Sequence, residues 1–174
     1  TDRSLYLDAI EHYRTALRLG KNIPQPDIEV DLAVLLLGRN QYKEALESLA
    51  DAPPSSTVWA LRAECHDGLG ERDASQDAIA AALSADPENS RALRFYGTQQ
   101  LFDGSAESAI EPLQKVLRQD PHDTAARYQL AMAYLKRYHL LEYSSRFDVV
   151  AITWPSSQRR PTIEHIKHAF EATR

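Results

Sequence analysis

Several things are scarce in this 174-residue chain: it has one cysteine, one methionine and six glycines. A lone Cys65 cannot close an internal disulfide, and a four-thiolate zinc site is impossible. Apolar runs such as Leu32–Leu37 fall far short of the roughly 20 residues a membrane-spanning helix needs, so no membrane span is expected. Basic charge is also short, with 20 Lys and Arg against 25 Asp and Glu and a net charge of −5. Nucleic acid is therefore not the expected partner. No glycine-rich dinucleotide loop, phosphate loop or G-x-S-x-G elbow occurs. We accordingly expect no catalytic residues, no metal, no cofactor and no enzyme. The chain opens at Thr1, which we read as a trimmed, processed or partial sequence. Compartment and oligomeric state are left open, the cytoplasm being favoured.

What the chain does have is a globular balance, 43% apolar and 26% charged, and a repeat. Gly70 and Gly104 are 34 residues apart, as are Pro87 and Pro121. Segments 56–89 and 90–123 align without a gap, setting Trp59 over Leu93, Ala63 over Gly97, Ile79 over Leu113 and Ala82 over Val116. A further copy begins at Thr124, with Leu130, Ala131 and Tyr134 in phase. Upstream, 26–52 repeats the pattern with Leu32, Ala33, Leu36, Asn40, Ala45, Leu49 and Ala52, its second half cut short by Pro53-Pro54. Residues 4–19 read as an orphan second helix.

This spacing predicts a helix, a tight turn and an antiparallel helix in each unit. Large apolar residues three to four apart give each helix one stripe to bury. Small residues, namely Ala63, Gly97 and Ala131 in first helices and Ala45, Ser75 and Ala109 in second helices, mark where two helices approach most closely. Gly70 and Gly104 suit a turn that needs positive φ. Asp86-Pro87 and Asp120-Pro121 end the second helices, and Pro112 predicts a bend within one of them. No pair can bury its stripe alone, so neighbours must stack.

The residues Trp59, Ala63, Gly70, Ser75, Ile79 and Pro87 resemble the tetratricopeptide repeat, over roughly residues 4–137. The resemblance implies a mainly α, right-handed solenoid whose use is docking a protein or peptide partner. We place the boundaries at a half repeat 4–19, repeats 26–52, 56–89 and 90–123, and a last first helix 124–138.

Beyond Tyr138 the texture changes. Phe147–Trp154 alternates and is β-branched, which predicts a strand. Thr162–Ile166 predicts its hairpin partner, and Lys167–Ala172 a short helical end. The stretches LKRYHLLEY, RFDVVAI and IEHIKHAF, within residues 133–170, resemble the closing part of the YraN-like predicted endonucleases. That family's metal-holding motifs, a strand Asp and a Glu-x-Lys pair, precede the RFDV strand and have no counterpart here, so no catalytic residue carries over. The expected role of 139–174 is a structural cap on the solenoid. The alternative reading is a nuclease-related protein touching nucleic acid through this tail.

The candidate sites outside the array are weak. Asp148 and Glu164 would make a metal pair only if they faced each other, and His165 and His168 only on a shared helix face. Arg159-Arg160 read as a solvated loop. Stacked first helices instead line a concave groove. By phase it draws on Val30, Val34 and Leu37, then Ala60, Glu64 and Asp67, then Arg91, Arg94, Thr98, Leu101 and Phe102, and finally Tyr128, Gln129, Met132 and Leu135. The candidate ligand groove is Glu64, Asp67, Arg91, Arg94, Thr98, Phe102, Tyr128 and Met132. Arg91 and Arg94 suit a carboxylate, or Arg94 pairs with Glu64 of the preceding repeat, and Phe102, Tyr128 and Met132 suit apolar anchors. Cys65, one position from the buried stripe, is expected to be an inert thiol.

Overall fold

Helix pairs in series are what the periodicity requires, and they are what forms. The computed structural model describes residues 2–20, 26–140, 147–153 and 162–170. They form eight helices and one hairpin: α1 Asp2–Leu19, α2 Pro26–Leu37, α3 Tyr42–Ser48, α4 Ser56–Gly68, α5 Arg72–Ala85, α6 Ser90–Phe102, α7 Ala106–Gln119, α8 Thr124–Arg137, β1 Phe147–Thr153 and β2 Thr162–Phe170. The chain divides into two compact units, Thr1–Ala133 and Tyr134–Arg174.

In the first unit, the 34-residue period reaches down to single hydrogen bonds. Ser55, Asn89 and Asp123 each accept from the backbone N–H three residues on, at 3.2, 3.0 and 2.9 Å, and so cap α4, α6 and α8. Asp86 and Asp120 leave the second helices in an extended conformation and turn the chain by accepting from Glu88 and His122 N–H. Gly70 and Gly104 take the left-handed turn at φ 76° and 81°, and Asn40 does so in the short unit at 58°. Where a fourth such residue was due at Tyr138, the left-handed conformation falls one residue later, on His139 at φ 53°.

The small residues let helices meet. Ala63 and Ala109 are fully buried, and a Cβ added at Gly97 would stand 2.8 Å from Leu113 Cγ. Ser75, also buried, donates its hydroxyl to Ala63 C=O at 2.9 Å. The aliphatic stripes form three adjoining clusters, centred on Leu36, Leu49 and Leu61, on Ile79 and Ala82, and on Leu113 and Val116. Helix α3 stops after seven residues, ahead of Pro53-Pro54. Its end is met by Arg62, which donates to Leu49 C=O at 2.6 Å while lying 4.9 Å from the Trp59 ring centre. Helix α7 runs through Pro112 without a break.

The second unit holds an antiparallel hairpin with Val149 opposite Ile166, Val150 opposite His165 and Ala151 opposite Glu164. The expected helical end over 167–172 is corrected as far as Phe170, which lies in β2 opposite Phe147; 171 and 172 lie outside the described residues. Four residues are too few to nucleate an isolated helix, whereas continued pairing supplies the ladder bonds directly. The register also sets Glu164 against Ala151, not against Asp148. The helix face that His165 and His168 would share does not form there. The arginine pair 159–160 lies outside the described residues.

Candidate functional site

The phase argument expects one side of every first helix to point away from its own partner helix, and the candidate residues on that side differ in burial. Glu64, Arg91, Arg94, Thr98 and Met132 are half-buried, and Asp67, Phe102 and Tyr128 are exposed. Two expected groove residues are corrected: Ala60 and Leu101 are buried, because each sits at the edge of its stripe where the neighbouring repeat closes over it. Val30 and Leu37 pack on the N-terminal core cluster, leaving Val34 exposed. Met132 likewise packs on the cluster around Leu113.

The arginines are engaged within the chain. Arg91 reaches back one repeat to Glu64 in a two-pronged ion pair, Nε to Oε1 at 2.6 Å and a terminal nitrogen to Oε2 at 2.8 Å. Arg94 was the arginine expected to pair with Glu64; it reaches forward instead, to Asp123 at 3.1 Å. Asp123 is well suited to this, since the same carboxylate caps α8. The Ala126 N–H and the Arg94 guanidinium together hold it below the usual aspartate range. The two pairs join α4 to α6 and α6 to the start of α8, so they set the spacing of first helices as well as the charge of the surface.

Between these pairs runs a polar relay. Gln129 donates to Thr98 Oγ1 at 2.6 Å, and Thr98 donates to the Arg94 carbonyl at 2.8 Å. The Gln129 Oε1 is buried with no hydrogen-bond partner among the described residues. Asp67 keeps an exposed carboxylate, touched by Gln99 at 3.4 Å. Phe102, 85% exposed, and Tyr128, 68% exposed, project from consecutive first helices as the large uncovered apolar surfaces of this face. Cys65 lies beneath it, fully buried, and burial first, then Glu64, pushes its thiol up to about 12 while Arg91 opposes them.

Chemically, this face offers ion-paired guanidiniums and carboxylates, an amide–hydroxyl relay and two exposed aromatic rings. The described residues contain no group of three or more His, Cys, Asp or Glu that could hold a metal ion, and no helix long and apolar enough to cross a membrane. Asp123 as the partner of Arg94 is not among the expected pairs. The signal was present in the 34-residue series Ser55, Asn89, Asp123, where the capping residue of the last helix alone carries a charge.

A tetratricopeptide repeat family model matches residues 61–124. A UPF0102 (YraN-like) protein of Rhodopirellula baltica is 42% identical over 66 residues, which is 37% of this chain and 40% of that protein. Anaphase-promoting complex subunit 3 of Dictyostelium discoideum is 33% identical over 67 residues, 36% of this chain and 7% of that protein. The chain thus spans two fifths or less of the curated relatives it matches. Among solved structures, a tetratricopeptide repeat protein from Parabacteroides merdae superposes with a TM-score of 0.59 at 22% identity, over 79% of this chain and 56% of that one. The MamA protein does so at 0.57 and 20%, over 79% and 76%. The second tetratricopeptide domain of human RPAP3, in complex with an HSP70 peptide, gives 0.50 and 19%, over 63% and 98%.

Proposed function

Starting from a chain built of tetratricopeptide repeats, we propose that it is a non-enzymatic interaction module whose first-helix face docks an extended segment or helix of a partner protein. The observation that carries this reading is the exposure of Phe102 and Tyr128 on successive first helices, α6 and α8, the first of which also carries a half-exposed Arg94. Aromatic and arginine anchors of this kind dominate binding at protein interfaces. The fold neighbour from RPAP3 is in complex with a peptide, which supports peptide docking as a use of this fold. Because Arg91 and Arg94 are already satisfied by Glu64 and Asp123, apolar anchors lead here and a partner carboxylate would have to displace a pair.

A display library of random peptides selected on the purified chain tests this. The expected outcome is a set of binders that lose at least tenfold in affinity on Phe102→Ala or Tyr128→Ala. Binders indifferent to both changes refute the assignment of the face.

The identity to a UPF0102 protein supports a second reading, a nuclease-related chain that contacts nucleic acid through the tail. Incubation with branched or single-stranded DNA and Mg²⁺ or Mn²⁺ separates the two. Metal-dependent cleavage abolished by Asp148→Ala favours the second reading and overturns the first.

A further inference from the structure

The 34-residue repeat supplies its own control for each junction between a second helix and the next first helix. At the α7–α8 junction the facing positions are Ile110 and Ala133, both buried in the cluster around Leu113. At the α3–α4 junction the corresponding residues are Leu46, packed on the N-terminal cluster, and Cys65, fully buried. At the α5–α6 junction the same two positions are Gln76 and Gln99. Tyr96 there replaces Leu130 of the later junction. Where its neighbours place buried or half-buried non-amide side chains, this junction opens into a crevice of about 240 Å³, lined by Gln76, Ile79, Ala80 and Leu83 of α5 and Tyr96, Gln99, Gln100 and Asp103 of α6.

The lining sorts by chemistry. Ile79 and Leu83 make an apolar floor that continues into the core. Gln99 is held by Ser75 Oγ at 3.0 Å, and Asp103 is tied to Arg72. Gln76, Tyr96 and Gln100 have no side-chain hydrogen bond among the described residues, so two amides and a phenol stand ready to donate and accept around that floor. The one charged wall, Asp103, is already neutralised by Arg72. Apolar floors with a few convergent polar groups are what ligand sites are made of. Gln99 answers the buried Ser75, whereas Gln76, exposed where Ile110 is buried one repeat later, departs from its repeat pattern without a side-chain bond among the described residues to account for it.

We propose that this crevice is a second docking site, independent of the first-helix face, for a neutral extended peptide segment of a partner. One aliphatic or aromatic side chain of the segment sits on Ile79 and Leu83, and its flanking main-chain amides bond to Gln76 and Gln100. The polarity matches: a peptide group offers one donor and one acceptor, as do the glutamine amides, and no charge need be desolvated.

The probe is N-acetyl-leucinamide, one apolar side chain between two peptide groups, titrated into the ¹⁵N-labelled protein. The expected result is millimolar binding that shifts the side-chain amide signals of Gln76 and Gln100 and the backbone signals of Ala80 and Leu83. N-acetyl-glutamic acid amide should bind at least tenfold more weakly. The double change Gln76→Ile with Gln99→Ala installs the residues this chain uses 34 positions later, so it should fold and lose the shifts. Ala80→Phe fills the mouth from an exposed position and should lose them independently. Absence of shifts up to the solubility limit, shifts surviving either variant, or shifts confined to Phe102 and Tyr128 would each overturn the proposal.

Discussion

Substituting Gly97 by alanine isolates the contact between α6 and α7, where a glycine lies against a buried leucine. Alanine is favoured over glycine in a helix interior by about 1 kcal/mol, so on propensity alone the change stabilises α6. Against this, the new methyl would stand 2.8 Å from Leu113 Cγ and 3.0 Å from its Cδ2. The nearer atom is the branch point of a fully buried side chain, not a free end that can swing aside. Overpacking of this kind costs about 1–3 kcal/mol, and a blocked branch carbon puts it in the upper half, about 2–3 kcal/mol. The net expectation is a loss of about 1–2 kcal/mol, or roughly 3–6 °C in Tm for a chain of this size. Urea denaturation should show a lower midpoint at an unchanged slope. Gly70→Ala is the companion measurement. No atom lies within 4 Å of an added Cβ there, but φ is 76°, so its cost, about 1 kcal/mol, is backbone strain alone. Leu113→Ala made in the Gly97→Ala background should cost less than in the parent, because the clash is gone. A Gly97→Ala variant as stable as the parent or more so would refute the reasoning, since α6 and α7 could not then be packed in this register.

Three further outcomes follow from the electrostatics. Arg91→Ala should lower stability by about 1 kcal/mol, and exchanging the pair as Glu64→Arg with Arg91→Glu should restore part of it, measured by denaturation at low and high salt. Glu29 is buried, its Oε2 has no partner among the described residues, and burial followed by the Asp51 charge raises its carboxyl above the ordinary glutamate value. A raised folded-state value means that stability is lost as pH climbs from the unfolded glutamate value through the folded one. Glu29→Gln should therefore be more stable than the parent at pH 7, with the gap closing as pH falls below about 4.3; a gap that widens on acidification contradicts this. Cys65 should resist iodoacetamide in the native protein at pH 8 and react once denatured, as followed by mass; rapid native labelling would mean that the α4–α6 packing opens.

Elements whose structure is local were legible in the amino-acid order. The period, the turns at Gly70 and Gly104, the ends at Asp86 and Asp120, and the small residues at the helix crossings all follow from backbone conformational preference and from the need of each stripe to be covered. The tail shows the limit: residues 167–170 have a helical flavour of their own, yet pairing of Phe170 with Phe147 decided for strand. The face of the first helices was legible as positions but not as partners. Ala60 and Leu101 fell inside because the neighbouring repeat closes over them, and periodicity does not say how far.

What the amino-acid order determined by itself, then, is the succession of helix pairs, because helix and turn formation draw on interactions between residues a few positions apart. What only the tertiary structure decided is which charges meet across repeats and where the stack is left open. Arg91 with Glu64, Arg94 with Asp123 and the crevice at Gln76 and Gln99 all depend on the offset between units some thirty residues apart. That offset is set by packing of whole helices, which no single stretch of the chain contains.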